Sequence, residues 1–142
     1  MNQNHFEIVK MEFSLVQEQI NKYDHIGTSI NTWMASLWIA TSGWGISTGH
    51  KVAFLFAIVI VVMFWFFGGI NKVFRQHYRK RREEIEEALQ SLFKEEKVKE
   101  GFLSPNLPQY SLEGLGKSMF LTHVALPYLA LILISLLSFL FL

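Results

Sequence analysis

The sequence predicts an all-α integral membrane protein with three transmembrane helices and an antiparallel cytosolic helical stalk. Three observations predict it. The run Val52 to Ile70 has 19 residues with no charge and no polar side chain, and as a helix it would be about 28 Å long, close to the hydrocarbon thickness of a bilayer. Phe120 to Leu142 is a second apolar run of similar length. Before residue 30 and after residue 70, charged stretches repeat apolar residues every three or four positions, as in a helix packed along one face. The composition agrees, since 142 residues that are 51% hydrophobic and 15% aromatic are too apolar for an ordinary soluble domain. Neither apolar run has the place or the flanks of a secretory signal. The absence of cysteine excludes disulfides, thiol catalysis and cysteine metal sites.

The first element, residues 1–29, reads as a cytosolic juxtamembrane helix. Phe6, Val9, Phe13, Val16, Ile20 and Tyr23 recur at 3-4-3-4-3, a heptad-like seam for the stalk or for an oligomer. Residues 30–70 read as a transmembrane helical hairpin. Its first arm, "INTWMASLWIATSGWGISTG", is uncharged but rich in hydroxyl and small side chains among three tryptophans. Thr32, Ser36, Ala40, Gly43 and Ser47 follow one another at 4-4-3-4 and form a narrow face, with Trp33, Leu37 and Trp44 on a neighbouring one. Such a stripe serves helix packing, because small residues admit close approach, or it lines an aqueous path in an oligomer. Only "STGHK", Ser47 to Lys51, separates this arm from the next.

Residues 71–100 continue as a long charged cytosolic helix, projecting roughly 45 Å. Phe74, Tyr78, Arg81, Ile85, Ala88 and Leu92 repeat at 4-3-4-3-4, which suits packing against the first helix. Gly27 and Gly68-Gly69 fall near the stalk's base, where missing side chains serve close packing or a bend. Residues 101–118, "GFLSPNLPQYSLEGLGKS", form a linker without helical periodicity. Residues 119–142 make the C-terminal transmembrane helix, with Pro127 in its first turns, where a spanning helix tolerates it.

Orientation follows from charge. Asn71 to Glu100 holds nine Lys or Arg, against Lys51 alone in the hairpin turn, so the positive-inside rule places the amino terminus in the cytoplasm and the carboxyl terminus on the exported side. Arg75, Arg79, Lys80, Arg81 and Arg82 begin a few residues past Ile70, within reach of lipid headgroups or around a cytosolic pore mouth. Forward i,i+4 pairing is expected of Arg79 with Glu83, Lys80 with Glu84 and Arg82 with Glu86, although basic-before-acidic is the weaker order. With seven acidic residues in the same stretch the balance is only +2, which disfavours direct nucleic-acid binding by phosphate neutralisation. Membrane lipid is the partner this charge fits.

No residues point to catalysis or to a cofactor. His5, His25, His50, His77 and His123 lack zinc spacing, and no phosphate loop or nucleophile elbow is present. His77 with Glu84, and Asp24 with His25, read as stalk side chains. An enzyme is not expected.

From Val16 to Ile46, "VQEQINKYDHIGTSINTWMASLWIATSGWGI", followed by the tight hairpin and the long charged helix, the chain resembles the SLATT superfamily, the SMODS and SLOG-associating two-transmembrane proteins of bacteria. The resemblance covers roughly residues 5 to 100 and rests on architecture and a loose "EQI…YD" pattern at Glu18 to Asp24. It implies a homo-oligomeric pore or membrane-disrupting effector of anti-phage defence in the bacterial inner membrane, activated by a cytosolic sensor or a nucleic-acid-guided partner. The third apolar helix departs from the two-helix pattern. A non-conducting scaffold or accessory subunit of a membrane complex is the alternative.

Overall fold

The computed structural model describes residues 3–94 and 112–141, and among them every regular element is an α-helix. In order these are α1 (Gln3–Thr48), α2 (Val52–Phe93), α3 (Leu112–Met119) and α4 (Thr122–Phe141). The juxtamembrane helix and the first predicted span are thus one helix, as are the second span and the charged helix. Residues 112–118, expected in the linker, lie in α3, while 95–100 and the linker residues 101–111 fall outside the described residues. α1 ends at Gly49, whose φ of 69° is the left-handed conformation that a Cβ would penalise. Bonds from Ala53 N–H to His50 O and from Phe54 N–H to Lys51 O, both 3.0 Å, then start α2.

The chain divides into two compact units, and α1 and α2 contribute to each: one unit takes Met1–Asp24 and Phe74–Tyr110, the other His25–Val73 and Ser111–Leu142. In the first, α1 and α2 run antiparallel. Val9, Val16, Ile20 and Ile85 form a buried cluster, with Phe13, Tyr78 and Leu89 packed around it. Tyr23 stacks on both Phe74 and Tyr78, at 5.5 Å between ring centroids in each case. The apolar rhythm forms these helices because only a helical period puts all these side chains on one side. Full burial of a side chain such as Ile85 stabilises the pair by about 1.5–3 kcal/mol.

In the second unit the arms of α1 and α2 form the predicted hairpin, and α4 packs on it. Met34, Val61 and Tyr128 make the buried centre, against Trp38, Phe64, Trp65 and Leu131. The approach is close. A Cβ on Gly45 would lie 2.9 Å from Ala53 Cβ, and one on Gly27 would lie 2.9 Å from Asn71 Nδ2. Gly68 admits the Tyr128 hydroxyl and Gly69 admits Met119 and Leu115 of α3, so these glycines serve packing, and α2 runs through them as unbroken helix.

Among the described residues two helices are long and apolar enough to cross a membrane, α2 from Val52 and α4 from Val124. Their apolar stretches are only 28% and 17% buried within the chain, and Leu55, Phe56, Val59 and Met63 of α2 and Leu129 and Leu133 of α4 face outward. The core helix of a water-soluble protein has the opposite distribution.

Candidate functional site

Thr32, Ser36, Ala40, Gly43 and Ser47 are all exposed, on the side of α1 away from buried Met34, Ser42 and Gly45. The hairpin therefore does not use the stripe to pack its own arms. A Cβ on Gly43 would meet nothing within 4 Å. Beside the stripe stand Trp33, 64% exposed, and Trp44, 49% exposed. Thr32 Oγ1 donates to Thr28 O at 3.0 Å, Ser36 Oγ to Thr32 O at 2.9 Å and Ser47 Oγ to Trp44 O at 3.0 Å. Each hydroxyl proton is thus satisfied inside the helix, which leaves oxygen lone pairs as acceptors along an uncharged face. Such a face takes hydrogen bonds from water or from a neighbouring helix and holds no ion by charge.

Of the seam residues, Val9, Val16 and Ile20 are buried and Phe6, Phe13 and Tyr23 half-buried, so the seam is filled by α2 of the same chain. Ile8, Met11 and Leu15 remain exposed elsewhere on α1. The basic cluster is divided. Arg75 pairs with Asp24 at 2.5 Å across the two helices. Arg81, its side chain only 13% exposed, donates to Glu12 at 2.7 Å and to Glu84 at 2.9 Å. Burial works against the Arg81 charge, but the hydrogen bonds to Glu84 and Glu12 outweigh it and raise the pKa. Arg82 pairs with Glu86 at 2.9 Å and donates to Gln17 at 3.3 Å.

Of the three expected i,i+4 pairs only Arg82 with Glu86 forms; Arg81 takes Glu84, and Arg79 and Lys80 are exposed with no ion-pair partner among the described residues. The unfavourable order of the charges explains the difference, because a partner across the seam competes easily with a weak intrahelical pair. His77, beside Tyr78, has its pKa lowered by partial burial, with Glu84 opposing and Lys80 adding to the shift. Among the described residues no three His, Asp or Glu side chains converge on a metal position.

The sequence left one set of contacts unread. Trp38 Nε1 donates to Ser135 Oγ at 2.9 Å, which itself donates to Leu131 O, and the Tyr128 hydroxyl donates to Asn31 Oδ1 at 3.1 Å. Trp65 stacks on Tyr128 at 6.1 Å and donates to Met119 O at 3.1 Å. Both interhelical bonds advance seven residues on α1 and on α4, so α4 runs parallel to that arm and points toward the hairpin turn. The available signal was contrast with the surroundings: Ser135 and Ser138 interrupt the aliphatic run "LALILISLLSF", and Asn31 is the lone amide in its arm.

Compared with known proteins, the chain matches no protein-family model, no curated protein and no solved structure.

Proposed function

We propose that the protein is a homo-oligomeric membrane pore or membrane-disrupting effector. One observation carries this reading: the face of α1 built from Thr32, Ser36, Ala40, Gly43 and Ser47 lies open within one chain, while the open faces of α2 and α4 are aliphatic and aromatic. In hydrocarbon, α2 and α4 suit lipid, and a hydroxyl-bearing face needs protein or water. A single chain encloses no path, so the face must come from several copies.

α1 from Ile30 then crosses as the third span, sheltered by α2, α4 and its neighbours. The amino terminus is cytoplasmic and the carboxyl terminus exported. The nine basic residues after Ile70 support this orientation, and the parallel run of α4 along α1 supports an odd number of crossings. A lining of hydroxyls without charged rings gives weak ion selectivity. The resemblance to the SLATT superfamily supports a role in bacterial anti-phage defence under a cytosolic sensor.

The back-bonded hydroxyls favour one second reading, a non-conducting scaffold, because a face with its donors satisfied can pack against a foreign helix without water. Flux of ions or dye from liposomes decides between them, with oligomer size followed in parallel. Under the pore reading, the wild type leaks when activated, and Ser36→Leu with Gly43→Leu assembles but no longer conducts. A double variant that assembles and leaks like the wild type removes the stripe as lining. A wild type that stays tight with its partner supplied leaves the scaffold.

A further inference from the structure

We propose that Arg79 and Lys80 form the contact of this protein with anionic lipid headgroups, while the other three basic residues of the cluster are structural. The inference rests on the membrane placement of α2 proposed above. Arg75, Arg81 and Arg82 spend their guanidinium groups on Asp24, on Glu12 and Glu84, and on Glu86 and Gln17. Arg79 and Lys80 are exposed and have no ion-pair partner among the described residues.

Helix direction brings this charge to the lipid. Both residues belong to the unbroken helix α2, and standing nine and ten positions past Ile70 they lie about 14–15 Å beyond the span. The headgroup layer is about 5–8 Å deep. Side chains of a helix lean toward its N-terminus, which in α2 is the membrane end. Long basic stems that snorkel back by about 6 Å therefore deliver their charge to the outer edge of that layer. In α1 the same lean carries Lys10 and Lys22 away from the membrane, because that helix enters it C-terminally. Glu83 and Glu87 share the exposed side of α2; Glu87 stands about 10–12 Å farther out, beyond the screening length of about 8 Å at physiological salt, whereas Glu83, about 5–6 Å farther out, offsets part of the attraction. A basic residue at an anionic surface is worth about fivefold in binding, so the pair is expected to contribute about thirtyfold at most.

The test uses the full chain reconstituted in phosphatidylcholine vesicles that carry a small fraction of dansyl-phosphatidylglycerol or dansyl-phosphatidylcholine. Energy transfer from the protein's tryptophans reports lipid enrichment. The wild type should enrich the anionic probe over the zwitterionic one, and Arg79→Gln with Lys80→Gln should lower that preference at least tenfold without changing the melting temperature. Raising the salt to 1 M should bring the wild type down to the variant, since screening then acts within about 3 Å.

Lys10→Gln with Lys22→Gln removes the same net charge and should leave the preference intact. Equal losses in the two double variants, or full preference in the first, overturn the proposal. Millimolar inorganic phosphate should not displace the lipid, and displacement by phosphate or by duplex RNA overturns it in favour of a soluble anion or a nucleic acid. Release of the wild type from vesicles by alkaline carbonate instead overturns the membrane reading itself, and is seen before any lipid preference is measured.

Discussion

The two units of the chain join their helices by opposite means. In the first, fully buried Ile85 meets Val9, Val16 and Ile20, the rim is crossed by Arg81 with Glu12 and Arg75 with Asp24, and the exposed side of α2 carries Arg79, Lys80, Glu83 and Glu87. In the second, the helices close on Gly45, Ala53 and Gly69, the crossings are the neutral pairs Trp38 with Ser135 and Tyr128 with Asn31, and the exposed side of α2 is aliphatic and aromatic. Under the membrane placement proposed above, solvent explains the contrast. Water drives apolar burial by about 25 cal/mol per Å² and hydrates charges left on the rim. Lipid tails are as apolar as leucine and drive no burial, so helices there must gain from close approach and from hydrogen bonds. The same two helices, α1 and α2, thus follow one set of rules in each unit.

The largest way to break the contrast is to place a charge in the first seam. Ile20→Glu, at a buried position, leaves a carboxylate without a partner and should cost about 3–5 kcal/mol. Thermal melts of the helical signal in detergent should show early loss of the first unit, and an unchanged melt would mean that Ile20 does not lie in a dry seam.

A smaller effect sharpens the other side. Trp38→Phe and Ser135→Ala should each destabilise α4 docking, with a coupling near 0.6 kcal/mol and at most about 1.7 in a double-mutant cycle. Steric-trap or denaturant unfolding in bicelles measures it. Zero coupling would remove the bond as a contributor.

The smallest effect is a pH dependence confined to the first unit. His77 has its pKa lowered below 6.5 by partial burial. Its neutral form is therefore the one the fold favours, and its contribution is complete above pH 6.5 and lost as pH falls through the lower folded value. Because the ring is only partly buried and one group is involved, the change should be the smallest of the three. His77→Gln should flatten the stability profile between pH 7 and pH 5, and a stability that rises on acidification through His77 would contradict the sign.

Much of this was legible in the residues because both packing modes write a period. The 3-4 rhythm from Phe6 to Tyr23 and from Phe74 to Ala88 marked the first seam, down to Arg81 at a seam position. The 19 uncharged residues of Val52 to Ile70 marked a helix suited to lipid. The seam of the hairpin was harder. Gly45, Ala53 and Ala57 carry little hydrophobicity to form a pattern, and the small-residue stripe that did form one, Thr32 to Ser47, lies on the open face. The partner of Ser135 or of Asn31 is set by how α4 returns to the hairpin, a distance of 97 residues in each case, and no local rule encodes that.

A cysteine-free chain permits one direct measurement of where the two solvents lie. Single cysteines at Val59, Leu133, Ser36 and Glu83, each spin-labelled in liposomes, report collisions with oxygen from the lipid and with a nickel chelate from the water. Val59 and Leu133 should favour oxygen strongly, Glu83 should favour nickel, and Ser36 should be shielded from lipid by its neighbours or by water. Nickel accessibility at Val59 and Leu133 equal to that at Glu83 would place the whole chain in water and contradict the division of solvents.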